Sequence, residues 1–281
     1  MDLDWAGPYT KGAAWFCAEH RPRPCREFVD CLVKRLHLSH DDRVLDLGGG
    51  VGATALALAP LVGQVVLVDS QPELLSEAAR RAESAGIRNV RFIEAGPEEL
   101  PKLGLAGGFS LATVAFTHHW LSVQEDVLAC LDVLLDARAG AVAVLEADSR
   151  DALAQQGHDA QLYHWRGRLA QLLDQFAPQA QALRGPYDLR PAVLELLERS
   201  PFGACERLCV DYDVVRQPNL ETAIGLLYSD AWVLQRLAHK RTLFERVARE
   251  ELGWVDRLPP VVERRKDVAF VGFRPLAASA Q

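Results

Sequence analysis

A glycine-rich turn between an apolar run and a helical one constrains this chain more than any other feature. Arg43-Val44-Leu45-Asp46-Leu47 is a short run of the kind that forms a strand buried on both faces. It runs directly into Gly48-Gly49-Gly50-Val51-Gly52, and ATALALAPL then continues with helical character to about Leu61. Glycine at the alternate positions Gly48, Gly50 and Gly52 lets the backbone turn tightly and lets a ligand approach it closely. The helix that follows offers unpaired N–H groups at its start. A second apolar strand, Gln64–Asp69, ends in a carboxylate. A carboxylate there can accept two hydrogen bonds from ribose hydroxyls, each worth about 1.5–3 kcal/mol because the acceptor is charged. The loop and the carboxylate agree in spacing, which favours a ligand site over a plain turn with a capping Asp.

The alternation continues. Val90–Glu94, Phe109–Phe116 and Ala141–Leu145 read as further strands, and Pro72–Ala85, stopped by Gly86, and Glu125–Leu135 as helices. Upstream, residues 25–37 place Phe28, Cys31, Leu32 and Leu36 on one helical face, and residues 1–24 read as irregular. Strands alternating with helices of this length imply a doubly wound α/β fold with right-handed crossovers. The tail changes character: residues 151–183, 190–199 and 219–252 read as helical, with strands at Glu206–Val215 and Val268–Phe273. The expected fold is therefore a seven-stranded, mostly parallel sheet with an antiparallel close and helical cover insertions. No linker divides the chain, so residues 1–281 are expected to form one domain. Its core covers about 25–147, 186–216 and 261–275, and its cover about 151–185 and 218–255, with the segment 1–24.

Composition narrows the partners. The 281 residues are 49% hydrophobic with a formal net charge of -7, and no basic run exists to track a phosphate backbone, which argues against nucleic acid. No apolar stretch is long enough for a membrane span. The cysteines (17, 25, 31, 130, 205 and 209) are scattered. With no secretory signal expected, they read as reduced thiols of a cytoplasmic protein, a monomer or homodimer. Cys205 and Cys209 stand four apart without a second ligand pair, so no metal site is expected.

Gly48, Gly50 and Ala53 also satisfy the loose dinucleotide pattern G-x-G-x-x-A, which alone does not separate NAD from other adenosyl ligands. Asp46-x-Gly48-x-Gly50-x-Gly52, however, resembles the first motif of class I S-adenosylmethionine (SAM)-dependent methyltransferases, where an acidic residue precedes the glycines. Three further segments are similar in order: Phe92–Pro101, Phe109–Trp120 and Asp132–Gly140. Arg21–Asp30 is similar to an arginine-proline segment of small-molecule members of the trans-aconitate methyltransferase type. The resemblance covers residues 9–147 well and the tail only in layout. It implies a Rossmann-like methyltransferase fold, SAM as cofactor with S-adenosyl-L-homocysteine as product, and cofactor contacts from Asp46, Gly48, Gly50, Gly52, Asp69, Ser70, Gly96, Pro97, Glu98 and Thr117. Two departures stand out. Family members commonly carry Asp at the position of Gly96, where it binds the adenine amino group; Glu98 or a backbone group is the available substitute. Asp136–Gly140 stands where a Lys-Pro-Gly-Gly turn is usual.

The expected reaction is methyl transfer to an O or N atom of a small-molecule acceptor, such as a secondary metabolite. Such a reaction needs positioning, exclusion of water and a proton acceptor. His118 and His119, at the carboxyl end of the fourth strand, are the candidate bases because histidine titrates near neutrality. Tyr9, Phe16, Trp120, His164 and Trp165 are candidate acceptor contacts, each of which would serve equally as aromatic or polar packing. A binding or regulatory protein with no activity is one alternative, and two others stand beside this reading. One is the same fold used for non-methylating chemistry such as cyclisation. The other is an NAD-dependent oxidoreductase supported by the glycine loop alone.

Overall fold

Residues of the apolar strands go alternately to opposite faces of one sheet, so their continuous hydrophobicity is used on both sides. The computed structural model describes residues 12–115, 124–136, 140–148, 160–178 and 190–273. The strands are β1 Arg43–Leu47, β2 Gln64–Asp69, β3 Val90–Glu94, β4 Leu111–Ala115, β5 Ala141–Asp148, β6 Ala204–Arg216 and β7 Val261–Phe273. The helices are α1 Ala13–His20, α2 Arg26–Arg35, α3 Ala53–Leu58, α4 Pro72–Ser84, α5 Gln124–Leu134, α6 Ala160–Phe176, α7 Arg190–Glu198, α8 Leu220–Tyr228, α9 Ala231–Leu237 and α10 Arg241–Leu252. The seven strands lie in the order β3-β2-β1-β4-β5-β7-β6. Neighbours from β3 to β5 pair in parallel, with Asp46 opposite Leu67 on one side and Thr113 on the other.

The chain groups into two compact units: residues 23–147, 188–210 and 267–281, and residues 1–22, 148–187 and 211–266. In the first, the sheet unit, Leu45, Leu47, Val66, Val68, Val114 and Val144 pack on one face with Val127 and Leu131 of α5. Val44, Val65, Leu67, Leu111 and Leu145 pack on the other with Phe28 and Leu32 of α2 and Ala55 and Leu58 of α3. Pro72 starts α4 where its missing N–H costs nothing. Gly86, at φ 70, ends it in the left-handed conformation that glycine adopts most easily. From β1 the chain winds outward to β2 and β3, then returns to β4 on the other side of β1. In such sheets the ligand crevice opens at this reversal, at the carboxyl ends of the strands.

The second unit is mainly helical. Trp165, Leu169, Leu172 and Leu173 of α6 pack with Ile224 and Tyr228 of α8 and Phe244, Ala248 and Leu252 of α10. Its parts of β6 and β7 are linked by three ion pairs: Arg216–Glu263 at 3.5 Å, Asp213–Arg264 at 3.1 Å and Asp211–Lys266 at 3.4 Å. Numbers falling along β6 meet numbers rising along β7, so the two strands run antiparallel. Among the described residues no helix is long and apolar enough to cross a membrane.

The elements depart from the sequence expectation in three places. Residues 13–20 form a helix inside the stretch expected to be irregular. Its buried side chains, Ala13, Ala14, Cys17 and Ala18, are too small to make a strong amphipathic pattern. The expected helix 219–252 is three helices: Asn219 caps the first (Thr222 N at 2.8 Å), Asp230 caps a new one (Trp232 N at 2.9 Å), and Ala238, at φ 35, separates the second from the third. β7 begins seven residues before Val268, since its charged first half is held by the cross-strand pairs rather than by apolar burial.

Leu131 is fully buried whereas Val133, two residues on in α5, is 79% exposed. Leu131→Ala is expected to cost about 2–5 kcal/mol in urea unfolding, and Val133→Ala less than about 0.5 kcal/mol.

Candidate functional site

Asp46 is fully buried at the centre of the sheet. One carboxylate oxygen accepts the Thr113 hydroxyl from β4 at 2.6 Å. The other, Oδ2, is buried and has no hydrogen-bond partner among the described residues. Burial pushes this carboxyl up to about 7; the Thr113 hydroxyl and the Ala55 N–H pull the other way, and the Asp69 charge adds to the rise.

The turn above it is built around that carboxylate. Gly48 and Gly49 both donate to the Val68 carbonyl, at 2.7 and 3.4 Å. Gly48, Gly50 and Gly52 have φ of 62, 55 and 78, where a side chain would be strained. Gly49 is required for a different reason: a Cβ there would stand 2.5 Å from Asp46 Oδ2 and 2.7 Å from Leu67. The turn thus leaves a side-chain-free surface beside an unsatisfied buried acceptor, which fits a polar ligand drawn against the backbone.

Asp69, at the end of β2, is 5% exposed. The Gly50 N–H donates to its Oδ2 at 2.8 Å and the Gln71 N–H to its Oδ1 at 2.9 Å. Burial raises its pKa, opposed by these N–H groups and that of Ser70. The carboxylate still has lone-pair capacity beyond these donors, so it is oriented by the turn without being used up. Ser70 is half-buried, its hydroxyl 3.4 Å from Gln71 Nε2.

After β3, Gly96 is buried in ordinary extended backbone, and its N–H donates to Glu99 at 2.8 Å. A Cβ on Gly96 would lie 2.8 and 2.9 Å from the two carboxylate oxygens of Glu98. Glu98 therefore fills the space a side chain at position 96 would take. Pro97 is half-buried at the start of a 3₁₀ turn, and Glu98 is exposed, lining a 290 Å³ cavity with Pro101, Ala129 and Cys130.

The structure brings Asp46, the glycine turn and Asp69 together, with Gly96 and Glu98 following the neighbouring strand. Ala95 N donates to the Asp69 carbonyl at 3.0 Å, tying the β2 and β3 ends to each other. Thr113 and Gln71 belong to this cluster and were not singled out from sequence. The signal for Thr113 was there: it is the one polar residue in the fully buried strand LATVA. Thr117, His118, His119, Trp120 and Tyr9 lie outside the described residues. In the helical unit Phe16 is half-buried, edge-on to Tyr228 at 5.2 Å and stacked on His20 at 5.8 Å. Trp165 is 4% exposed in that unit's core, and His164 is exposed.

Comparison with known proteins agrees with this geometry. Residues 44–137 match the family model described as a methyltransferase domain. That segment is thus similar to methyltransferase domains, a likeness that favours SAM over NAD as the ligand of the glycine turn. The chain is 33% identical over 121 residues to YcgJ, an uncharacterised methyltransferase of Bacillus subtilis, covering 43% of this chain and 47% of that protein. It is 39% identical over 80 residues to the ubiquinone/menaquinone biosynthesis C-methyltransferase UbiE of Coxiella burnetii, covering 27% and 32%. The chain thus spans less than half the length of these curated relatives. In fold it is similar to a structure from Anaeromyxobacter dehalogenans thought to be a type II methyltransferase (TM-score 0.57, 17% identity, 92% of this chain and 99% of that one). A precorrin 8W decarboxylase from Methanobacterium thermoautotrophicum is also similar (TM-score 0.50, 14% identity, 91% and 94%).

The raised pKa of Asp46 makes ligand-free stability pH-dependent. A carboxyl easier to protonate when folded contributes stability that is full below its unfolded value, near 3.8, and lost as pH rises through about 7. Relative to Asp46→Asn, the native chain is expected to lose about 2–3 kcal/mol between about pH 5 and pH 8 in urea unfolding. A constant difference between the two proteins over that range would show that Asp46 does not titrate there.

Proposed function

We propose that this chain is an enzyme that transfers the methyl group of SAM to an oxygen or nitrogen of a small-molecule acceptor. The observation that carries the reading is the buried Asp46 oxygen without a partner beneath a glycine turn that also orients Asp69. SAM, when bound, supplies a methyl group already activated by its sulfonium, so transfer is an in-line displacement. Gly48, Gly50 and Gly52 give the cofactor access to the backbone, Asp46 supplies a buried acceptor, and Asp69 and Ser70 accept and orient ribose hydroxyls. Gly96 and Pro97 border the base, with Glu98 offering its carboxylate in place of a side chain at 96. Thr117 completes the cofactor set.

The acceptor's proton goes to a ring nitrogen of His118 or His119 in this reading, and Tyr9, Phe16, Trp120, His164 and Trp165 contact the acceptor. Residues 1–281 are read as one methyltransferase domain, with the doubly wound part as its core and the helical segments as its cover. The reading further takes the protein as cytoplasmic, a monomer or homodimer, and independent of nucleic acid and membrane. The acceptor is proposed to be a secondary metabolite; UbiE, named a C-methyltransferase, keeps carbon among the atoms to test. A second reading, in which the bound cofactor serves another reaction such as cyclisation, draws on Gly96 and its missing side chain. Release of one S-adenosyl-L-homocysteine per product excludes it.

Calorimetry distinguishes these cases. The purified chain is expected to bind SAM and S-adenosyl-L-homocysteine but not NAD, and Asp69→Ala to weaken binding at least about tenfold, as loss of a charged hydrogen-bond acceptor implies. A folded protein that binds neither adenosyl compound overturns the proposal.

A further inference from the structure

The paired strands β6 and β7 carry two differently charged faces. Along β6, Asp211, Asp213 and Val215 are exposed while Tyr212, Val214 and Arg216 are half-buried; along β7, Val262 and Arg264 are exposed while Glu263 and Arg265 turn inward. On the outer face acid and base match one to one: Asp213 with Arg264 and Asp211 with Lys266. The inner face does not match. There a single carboxylate, Glu263, whose side chain is 7% exposed, meets three guanidinium groups. Arg166 of α6 reaches its Oε1 at 2.8 Å and Arg265 its Oε2 at 2.9 Å. Arg216 comes only to 3.5 Å from Oε2, and among the described residues its side chain forms no hydrogen bond. The next acid along that strand, Asp267, accepts the Cys25 backbone N–H at 2.7 Å.

Two guanidinium groups hydrogen-bond Glu263, one on each oxygen. Arg216 stays at ion-pair distance without a hydrogen bond to it, and three positive groups around one negative group leave the cluster with surplus positive charge. Burial and the neighbouring Arg265 and Arg166 charges lower the pKa of Arg216, against the pull of Glu263. Guanidinium groups present planar forks of donors that match carboxylate and phosphate oxygens. Here Arg216 and Arg166 keep 39% and 41% of their side-chain surface exposed beside the buried Glu263, so the cluster is open to solvent.

We infer that Arg216, together with Arg265 and Arg166 over Glu263, forms a binding site for a carboxylate or phosphate group of a small-molecule ligand. The inference lies in the helical unit and does not depend on the methyl-transfer reading. An anion there takes the donors that Glu263 leaves over and relieves the repulsion among the three cations. Arg216 is the residue to remove, since Glu263 keeps one partner on each oxygen without it.

The test is calorimetric titration of the full chain with inorganic phosphate and, separately, with citrate, at constant ionic strength set by sodium chloride. The variants are Arg216→Gln and, as an outer-face control, Arg264→Gln. Saturable binding of at least one of the two anions is expected, weakened at least tenfold by Arg216→Gln and unchanged within twofold by Arg264→Gln. Which anion binds more tightly distinguishes a carboxylate site from a phosphate site. Retained SAM affinity and an unchanged circular dichroism spectrum establish that Arg216→Gln is folded; should it not fold, Arg216→Lys, which keeps the charge and loses the fork, takes its place with the same expected weakening. No saturable binding of either anion, or binding that the Arg216 variant leaves within twofold, overturns the inference.

Discussion

The hydrogen bond from Thr113 to Asp46 joins β4 to β1 at the point where the sheet reverses its winding. A carboxylate at that place is costly, since its charge is removed from water on every side. Thr113 satisfies one oxygen, and the turn above must then leave room for the other. This is why Gly49, whose backbone is not in the left-handed region, is as constrained as its neighbours: the carboxylate and Leu67 occupy the volume of its missing side chain. The conformational demand at Gly48, Gly50 and Gly52 and the steric demand at Gly49 act in the same turn, and together they leave Val51 as its one position open to an ordinary side chain.

Asp46 and Asp69 share burial but not function. Asp69 is held by backbone N–H groups on both oxygens, which favour its charged form against burial and fix the direction in which its remaining lone pairs point. Asp46 has the Thr113 hydroxyl and the Ala55 N–H against complete burial, and burial outweighs them, so its charge is poorly supported until something occupies the turn. One carboxylate is thus pre-oriented and the other is waiting for a donor. A ligand carrying hydroxyls at one end and a positive or N–H-bearing group at the other suits that asymmetry, as the resemblance to SAM-dependent methyltransferases implies.

The parallel half of the sheet was legible in the sequence nearly to the residue. β1, β2 and β3 have the expected bounds, because runs such as QVVLVD are apolar on both faces and have no other stable placement. The charged half of β7 was not legible, since Glu263-Arg264-Arg265-Lys266-Asp267 reads as a solvated loop until the acids of β6 are known to face it. Helix α1 was missed because alanine and cysteine bury well without marking a face. At the site, the glycines and both carboxylates were legible from spacing. Thr113 was not singled out, because a threonine in a strand is ordinary until its partner across the sheet is identified.

Gly96 illustrates how a departure in sequence need not be a departure in chemistry. The residue lacks the acidic side chain common in the family, and from sequence alone that reads as a gap. In three dimensions the Glu98 carboxylate comes back over it, its oxygens within 2.9 Å of the position a Cβ would take. An acidic group is therefore present at that place, supplied from two residues further on and by a longer, more mobile chain. Restoring an Asp at position 96 would force the Glu98 carboxylate to swing away and would set two negative groups side by side. The glycine and the glutamate thus occupy complementary space: the Glu98 carboxylate sits where a side chain at 96 would begin, and would have to move to admit one.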